Sequence, residues 1–474
     1  MKTLKVRNIS RKYKKFGNFI CRKEKTVMIN RKKLLLLLSC FIFVSYVFSS
    51  ARLIFRNDPQ FYYTYLKTYP LVLPLRYSQD EDSSTKLYLK LPFGRSEKVA
   101  GNYELASGWY LPGTPTDSIF RRNYLELPGI FSLGFSTSYS NNFYASFNVD
   151  IPVGDTSFFR YGYENIFEMK DMTHIGLDFP KNSYLSYSTD TIDFSFGRNT
   201  ISYGPLKYNL LLSDSAPYYD NLSMRVKSGN LNYSFSALSS IPMLSKQEYD
   251  QQFSFGNFYA YRNTFVNRLD LSFKNFDFSV SMLNHTGGRL ADIRDMFLFS
   301  DNGLFSADSR YRGFFEIYTA YCFNYSNFKN SFAAGISKTI DAGDVLIRAC
   351  GELYHVQDGI YDHEVPLKKL YYRTISVSNN PGSRNFPDTP FGFFYGENSN
   401  IFSAEAVIAW EDGYIEVVKD FGNNSYGKVE HFLARINAKM PFADLNILLY
   451  DTKNADKDYF GFSFFYILEL GVII

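Results

Sequence analysis

The feature that most constrains the fold is an alternation of apolar and polar residues that recurs over short stretches, about 7–11 residues each. Leu222–Lys227 places apolar side chains at every second position, Gly229-Asn230 follows, and Leu231–Ala237 alternates again. A two-residue Gly-Asn turn between two such stretches is typical of a β-hairpin. The same pattern predicts hairpins at Asn275, between Leu269–Lys274 and Phe276–Met282, and at Asp412-Gly413, between Phe402–Trp410 and Tyr414–Lys419.

The spacing of the turns favours a membrane barrel over a soluble β-sandwich. Tight turns are expected near residues 141–142, 189–190, 229–230, 275 and 412–413, and longer loops near 199–221, 239–256, 285–311 and 355–400. Outer-membrane barrels have short periplasmic turns and long outer loops, and their strands are about 9–11 residues long. Alternation alone is also typical of a β-sandwich, so the unequal lengths of the connections are what favours the barrel.

The carboxyl-terminal stretch points the same way. From Phe460 to Ile474 every second residue is apolar, and Gly461, Ser463 and Glu469 lie between them. Water penalises so long an apolar face, whereas lipid requires one. We therefore predict an all-β protein, a transmembrane antiparallel β-barrel of 16–20 strands. Aromatic residues near the strand ends, such as Trp410 and Tyr414, are expected in interfacial girdles.

The barrel is expected to span residues 85–474, after a short periplasmic segment of residues 52–84. In that segment Asp58-Pro59 predicts the start of a helix over Gln60–Tyr69, which Pro70 ends. A barrel with so many strands has a wide lumen, so something is expected to plug it. The acidic run Asp80-Glu81-Asp82 is interpreted as a solvated turn, with a divalent-ion site as the minority alternative.

Residues 1–51 form a basic leader. They hold 13 Lys and Arg against one acid, Glu24, and the rest of the chain holds 38 basic against 46 acidic residues. Lys32-Lys33 precedes an apolar run of about 15 residues that ends near Ser49-Ser50-Ala51, which is typical of a cleavable signal sequence. Met28 is a possible true first residue of the protein, with residues 1–27 as a mis-assigned extension. A retained anchor and a lipoprotein cleaved before Cys40 are the alternatives.

Two cysteines lie beyond the leader. Cys322 and Cys350 fall on two candidate strands, and a third strand around Asn330–Lys338 lies between them in sequence. Two strand spacings are roughly 9–10 Å, whereas a disulfide needs Cα atoms within about 7 Å. We predict two free thiols.

Motifs that would indicate catalysis are missing from the sequence. It contains no H-E-x-x-H, G-x-S-x-G, P-loop or G-x-G-x-x-G motif, and its five histidines are scattered. Asp362-His363-Glu364 is the best local candidate for a metal or catalytic site, and a solvated loop is the favoured interpretation. A Ser-His-Asp set assembled across strands remains a minority alternative. We expect no enzymatic activity, no cofactor and no metal.

One stretch stands out as a motif. Phe196–Pro205 delivers Arg198 to the end of a strand and then turns at Gly204-Pro205. Leu210–Pro217 follows, with three leucines that would bury the loop. This stretch resembles the G-R-x-x-x-x-[WY]-G-P and L-x-L-S-D-x-A-P segments of the capsule-assembly Wzi family of outer-membrane proteins. The positions that carry the resemblance are Gly197, Arg198, Tyr203, Gly204, Pro205, Leu210, Leu212, Ser213, Asp214, Ala216 and Pro217.

The resemblance implies a barrel of roughly eighteen strands, which makes 18 the favoured number. It also implies that a small helical part, here residues 52–84, plugs the periplasmic side, and that the protein holds surface polysaccharide at the outer membrane. The motif positions would then be structural or glycan-related. From the residues themselves, the outer loops carry Arg and Tyr, which suit sugars through charge-assisted hydrogen bonds and stacking. The candidate glycan contacts are Arg289, Arg294, Arg310, Tyr371, Tyr372 and Arg373.

The leading hypothesis is thus a non-enzymatic barrel for capsule or exopolysaccharide assembly in the outer membrane of a diderm bacterium. Its expected partners are surface polysaccharide, outer-membrane lipid and the outer-membrane barrel-insertion machinery. Nucleic acid is not expected as a partner, because the net positive charge is confined to the leader. The alternative is a porin or transporter for small solutes, with lumen candidates of mixed sign: Arg225, Lys227, Asp270, Lys274 and Asp277.

Overall fold

A computed structural model describes the part of the chain after the leader, with gaps. The described ranges are 52–76, 84–100, 104–108, 131–139, 142–151, 158–159, 182–214, 219–239, 262–373, 375–377, 384–385, 388–441, 443–454 and 457–473. The predicted leader, the Met28 start, Cys40 and the acidic run Asp80-Glu81-Asp82 lie outside these ranges. So does most of the predicted loop 239–256.

Strands make up most of the described chain. The described residues include two helices, α1 (Phe61–Thr68) and α2 (Ile293–Phe297), and a 3-10 turn at Pro366–Lys368. No helix among the described residues is long and apolar enough to cross a membrane. The strands are β1 (Leu53–Ile54), β2 (Val72–Leu73), β3 (Leu75–Arg76), β4 (Ser84–Ala100), β5 (Glu104–Gly108), β6 (Phe131–Tyr139), β7 (Phe143–Ile151), β8 (Phe158–Phe159), β9 (Ser183–Ser188), β10 (Ile192–Asn199), β11 (Ser202–Tyr203), β12 (Tyr219–Ser228), β13 (Leu231–Ser239), β14 (Arg262–Ser272), β15 (Phe276–Gly287), β16 (Asn302–Arg312), β17 (Glu316–Asn324), β18 (Asn330–Asp341), β19 (Val345–Val356), β20 (Tyr371–Arg373), β21 (Ile375–Val377), β22 (Arg384–Asn385), β23 (Asp388–Pro390), β24 (Ser399–Trp410), β25 (Gly413–Asn424), β26 (Gly427–Lys439), β27 (Ala443–Asn454) and β28 (Lys457–Ile473).

The long strands close into one antiparallel barrel. Its order is β4, β5 and β6, β7, β9, β10, β12 to β19, then β24 to β28, and β28 returns to β4. Leu470 faces Leu89 at that closing pair. Both β5 and β6 pair with the same side of β4 at different heights, around Ser96 and around Ser84–Lys90, and so share one position. The described barrel therefore has eighteen positions, which confirms the favoured strand number.

The two faces of the wall follow the predicted alternation. In β25 the side chains of Val417 and Phe421 are exposed on the outside, whereas Glu416 and Asp420 are buried inside the lumen. The last strand, β28, turns Tyr466 and Leu470 outward and Phe465 inward. Because the exterior is apolar and closure leaves no free sheet edge, the wall suits a bilayer.

The connections differ at the two ends of the barrel, as predicted. Tight turns join β6 to β7, β9 to β10, β12 to β13, β14 to β15 and β24 to β25 at one end. Long connections at the other end include 200–218, 288–301 and 357–398. By the usual asymmetry the tight turns face the periplasm and the long loops face outward.

Two local predictions need correction. Tyr414 is not in a girdle: it points into the lumen, where its hydroxyl donates a hydrogen bond to the Arg56 carbonyl oxygen (3.0 Å). Helix α1 begins one residue later than expected, with Gln60 at its N-cap. Asp58 instead accepts a hydrogen bond from the Phe55 amide (2.7 Å), so it stabilises the turn before the helix.

The cysteine prediction is confirmed. Cys322 on β17 and Cys350 on β19 are free thiols. Strand β18 lies between them, because Ser331 faces Cys322 and Ser337 faces Cys350.

Candidate functional site: a filled lumen beneath an outer loop surface

Three segments enter the barrel lumen. The N-terminal segment (residues 52–76) lies towards the tight-turn end, the motif loop (residues 200–214) descends through the middle, and the outer loop (residues 357–398) covers the other end. Their apolar residues join the inward side of the wall in two large buried clusters. The loop segments in these clusters include Tyr203, Leu206, Leu210–Leu212, Tyr361, Phe391 and Phe393–Tyr395.

Local hydrogen bonds shape the motif loop into a compact hairpin-like excursion. The Tyr203 amide donates to the Leu212 carbonyl oxygen (3.0 Å), and the Asn209 side chain joins the Leu206 amide (3.1 Å) to the Ser202 hydroxyl (2.7 Å). Gly204 has φ +128°, and a Cβ there would lie 2.3 Å from Asn209 Oδ1. A glycine is therefore needed where the loop turns towards the tight-turn end.

The tip of the motif loop carries a buried cation. Lys207 Nζ donates to Glu405 and, at 2.7 Å, to Glu416 Oε1, and all three side chains are at most 5 % exposed. Arg348 and Arg435 approach the same two carboxylates from the wall at 3.2 and 3.6 Å. Such a buried network is tolerated because every charge faces a partner.

Burial and the carboxylates act on Lys207 in opposite directions. Burial lowers the pKa of the Lys207 ammonium, but the charges of Glu405 and Glu416 outweigh it and the net effect raises that pKa. The ammonium form of Lys207 is therefore favoured, and ion pairs with Glu405 and Glu416 hold the loop tip.

Tyrosine hydroxyls bond to two further inward carboxylates. Tyr208 and Tyr395 both donate to Asp420 Oδ2, at 2.7 and 2.5 Å. Tyr318 and Tyr354 donate to Glu352, which also accepts from the Lys207 amide (3.2 Å). These bonds link the motif loop to the wall and to the outer loop.

The outer loop packs directly on the motif loop. Tyr361 donates to the Leu210 carbonyl oxygen and accepts from the Phe393 amide, both at 2.8 Å. The Ser213 amide donates to the Phe391 carbonyl oxygen (2.7 Å), and Phe391 meets the His285 ring edge to face. These contacts make the outer loop a lid on the described interior.

The N-terminal segment closes the opposite side. Arg56 pairs with Asp214 of the motif loop at 2.7 Å. Tyr62 of α1 donates to Glu416 Oε1 at 2.7 Å and packs on Tyr414. Strand β2 pairs with β11 of the motif loop, Val72 facing Tyr203. The partly helical segment thus lies inside the barrel, as the plug prediction required.

The structure separates the motif positions into two groups. Arg198, at the end of β10, points outward and pairs with Asp220 at 2.7 Å. Gly197 lets β10 pass close to Ser183 and Tyr184. Tyr203, Gly204, Pro205, Leu210, Leu212, Ser213 and Asp214 lie in the motif loop inside the lumen, and Ala216 and Pro217 lie outside the described residues.

The candidate glycan contacts do not form one cluster. Arg310 lies in β16 near the tight-turn end, where it pairs with Asp277 and donates to the Tyr69 carbonyl oxygen (2.7 Å), so its placement in an outer loop was wrong. Arg289 pairs with Asp295 and Asp301, and Arg294 pairs with Asp292, all in the outer-end connection around α2.

Tyr371, Tyr372 and Arg373 form β20 in the outer loop, paired with β23. The Tyr371 ring is half-buried and meets Tyr361 edge to face at 6.3 Å. Only the backbone of Tyr372 and Arg373 is described.

The residues proposed for a wet pore are already paired or peripheral. Asp270 pairs with Arg268, Asp277 pairs with Arg310 and Arg312, and Lys227 pairs with Asp193. Arg225 lies near Ser234 on the inward face, and Lys274 is exposed in the turn between β14 and β15. The mixed charges therefore serve inward ion pairs.

The best local catalytic candidate, Asp362-His363-Glu364, makes hydrogen bonds to nearby backbone amides. His363 Nδ1 accepts from the Val365 amide (2.9 Å), and Asp362 accepts from the His363 amide (2.9 Å) and pairs with Lys369. Burial lowers the pKa of His363, with a further lowering by Lys368 that Glu364 and Asp301 partly oppose. Nothing in this turn aligns the imidazole with a nucleophile.

Sequence reasoning missed Lys207, Glu405 and Glu416. A signal did exist: Lys207 is one charge in a loop of tyrosine and leucine, and Glu405 and Glu416 occupy inward positions on neighbouring strands. What the sequence could not show is that this loop enters the lumen.

Comparisons with known proteins give a fold. No family model matches the chain, and no curated protein matches it in sequence. Wzi of Escherichia coli, an outer-membrane protein involved in group 1 capsule assembly and described as a carbohydrate-binding β-barrel, superposes with a TM-score of 0.53 at 14% identity, covering 82% of this chain and 84% of Wzi. OccK1 of Pseudomonas aeruginosa (TM-score 0.44, 8% identity, 82% and 99% covered) and OccAB4 of Acinetobacter baumannii (0.44, 10%, 83% and 99%) are more distant.

The fold is that of an eighteen-stranded outer-membrane barrel, with Wzi among its structural neighbours. Together with the apolar exterior and the unequal ends, this places the protein in the outer membrane.

Proposed function

We propose that the protein is a non-enzymatic outer-membrane barrel that binds or anchors surface polysaccharide for capsule or exopolysaccharide assembly. The observation that carries the proposal is the filled lumen. A solute channel needs a continuous wet path, whereas here the motif loop crosses the interior and is locked by Lys207 to Glu405 and Glu416. The outer-end loops are then the surface left for function.

The fold likeness supports the same class of role. Wzi is described as a carbohydrate-binding barrel, and its likeness to this chain extends over most of both proteins. At 14% identity that likeness supports the architecture, and the two experiments below test the glycan role.

The proposed contacts lie on the outer loops. Tyr371, Tyr372 and Arg373 belong to the loop that covers the lumen, and Arg289 and Arg294 lie in the connection around α2. The Arg294 side chain is 76% exposed. Aromatic rings stack on sugar faces and guanidinium groups bond to hydroxyl or acidic oxygens, so these residues fit neutral or acidic sugars.

The first experiment measures polysaccharide retention in the native host. Deleting the gene should raise the shed fraction and lower the cell-attached fraction, and the wild-type gene should restore retention. Unchanged retention in the deletion strain would sink the proposal.

The second experiment tests the surface itself. A Tyr372→Ala/Arg373→Ala double variant should bind purified host polysaccharide at least tenfold more weakly by calorimetry. Lys274→Ala, at the tight-turn end, should bind like the wild type. Equal binding by all three proteins would remove the outer loop from the proposal.

A further inference from the structure

Two neighbouring rows of side chains cross the outside of the wall near its outer end. The upper row is polar and runs through register partners on β9, β10, β12, β13 and β14. The row beneath it is apolar and runs across the same five strands. The polar row is Ser183, Arg198, Asp220, Ser239 and Asn263, and the apolar row is Leu185, Phe196, Leu222, Ala237 and Phe265.

A groove of about 420 Å³ opens over these rows. Its floor is Phe196, Leu222, Ala237 and Phe265. Ala237 faces Leu222 on one strand and Phe265 on the other. Because its side chain is smaller than these two neighbours, a depression lies between them. The volume lies within the range of about 300–1,000 Å³ that is usual for ligand sites.

The connection around α2 packs on the row of the wall next to the groove floor, where Phe235 faces Asn267. It folds back over the outside of the wall: Phe297 stacks on Phe235 at 5.8 Å, and the Asn267 side chain donates to the Met296 carbonyl oxygen (2.5 Å). Leu290 and Ile293 of this connection stay exposed, at 68% and 73%. Exposed apolar side chains that continue a lipid-facing wall are stable only against lipid.

The polar edge of the groove is preorganised. Arg198 grips Asp220 through two bonds, Nε to Oδ1 at 2.7 Å and a terminal guanidinium nitrogen to Oδ2 at 3.1 Å. Because the pair is close to neutral overall and is flanked by Ser239 and Asn263, it offers donors and acceptors together. That chemistry matches a sugar headgroup better than a bare phosphate.

We propose that this groove is a binding site for an outer-leaflet glycolipid, with one acyl chain on the apolar row and the sugar headgroup on the polar row. The order of the rows fixes the orientation, since the polar row lies towards the loops and the apolar row towards the membrane interior. The site faces lipid rather than the lumen, so it is independent of the polysaccharide role. Arg198 is its positioning residue, and Ala237 makes room for the chain.

The test uses full-length protein extracted from outer membranes in a mild detergent and analysed by native mass spectrometry. Wild-type protein should retain one glycolipid for each chain. Ala237→Trp, which fills the groove, should lower retention at least tenfold. Ala406→Trp, an outward alanine on β24 away from the groove, should behave like the wild type. Heat-modifiable migration on gels checks that each variant is a folded barrel.

A second measurement identifies the headgroup. Lipid-depleted protein is offered lipid A or phosphatidylethanolamine, and lipid A should bind at least tenfold more tightly to the wild type and to Ala406→Trp. Equal binding of the two lipids would overturn the glycolipid assignment. Equal retention of the glycolipid by Ala237→Trp and the wild type would overturn the site. The site would also be overturned if the wild-type protein were a dimer and Ala237→Trp a monomer, because a second chain would then occupy the groove.

Discussion

The barrel wall and the lumen of this protein are stabilised by different physics. The wall depends on backbone pairing between neighbouring strands and on apolar side chains that face lipid. The lumen depends on contacts between residues far apart in sequence, such as Lys207 with Glu405 and Glu416, and Arg56 with Asp214. A change in the lumen should therefore loosen the plug while the barrel survives, and a change in the wall should hinder assembly of the whole.

The largest effect is expected at the lumen ion-pair cluster. Lys207→Met leaves two buried carboxylates without their shared cation, and removing one partner of a buried pair costs about 3–5 kcal/mol. We expect the motif loop to become sensitive to protease in the purified protein, while heat-modifiable migration shows an intact barrel. Lys428→Met, in a mainly exposed pair with Glu430, should leave both readouts as in the wild type, because solvent screens that pair. Loss of the barrel itself in Lys207→Met would contradict the separation of the two regions.

A charge in the middle of the wall tests the other region. Val417 points outward in β25, between Ala406 and Ala434. Val417→Arg should destabilise the membrane-inserted barrel by about 2–4 kcal/mol, because a cation at the bilayer midplane is costly. Urea titration in lipid vesicles measures this, with Val417→Ile as the matched control. An unchanged midpoint would show that this face does not meet lipid.

A smaller effect is expected where the motif loop turns. Gly204→Ala places a Cβ against Asn209 Oδ1 and forces a strained φ, at a cost of about 1–3 kcal/mol. Gly351→Ala on β19, where the nearest atom to a new Cβ is 3.6 Å away, is the control on the wall. Hydrogen exchange should rise in residues 200–214 of the first variant alone. A wild-type exchange rate there would show that the turn tolerates a side chain.

The smallest effect concerns pH and the outer loop. Burial lowers the pKa of His363 in the folded protein, so its neutral form is favoured and its Nδ1 accepts from the Val365 amide. As the pH falls, the His363 imidazole takes up a proton near pH 6.5 in the unfolded loop but only at a lower pH in the folded loop. The folded loop therefore loses stability as the pH falls below 6.5, and the loss is complete once the pH is below the folded pKa of His363. Exchange at Val365 should therefore rise below pH 6.5. His363→Asn keeps a hydrogen-bond acceptor that does not titrate, so it should remove the pH dependence of exchange. If the pH dependence persisted in this variant, another group would be responsible for it.

The wall was predictable because its rules are local. Leu222–Lys227 and Leu231–Ala237 alternate about a Gly-Asn turn, and the structure pairs them as the hairpin β12–β13. The range of 16–20 strands and the two free cysteines followed from the same rules, whereas the number eighteen came from the family resemblance.

The lumen was predictable only in outline. The plugging helix and a buried motif loop were expected, but Lys207 meets Glu405 and Glu416 across about 200 residues of chain. Tyr414 was misplaced although alternation held the information, because it shares a strand face with Glu416 and Asp420, which point into the lumen. Arg310 was assigned to a loop although Ser300-Asp301-Asn302-Gly303 marks the end of that loop, at the start of β16.

The central claim is that the lumen is filled and that the protein works at its outer surface. Single-channel recording of the purified protein in planar bilayers tests it most directly. The account predicts a quiet baseline for wild-type protein and frequent openings for Lys207→Met, in which the motif loop is released. Steady, large openings from the wild-type protein would contradict it and would favour a channel.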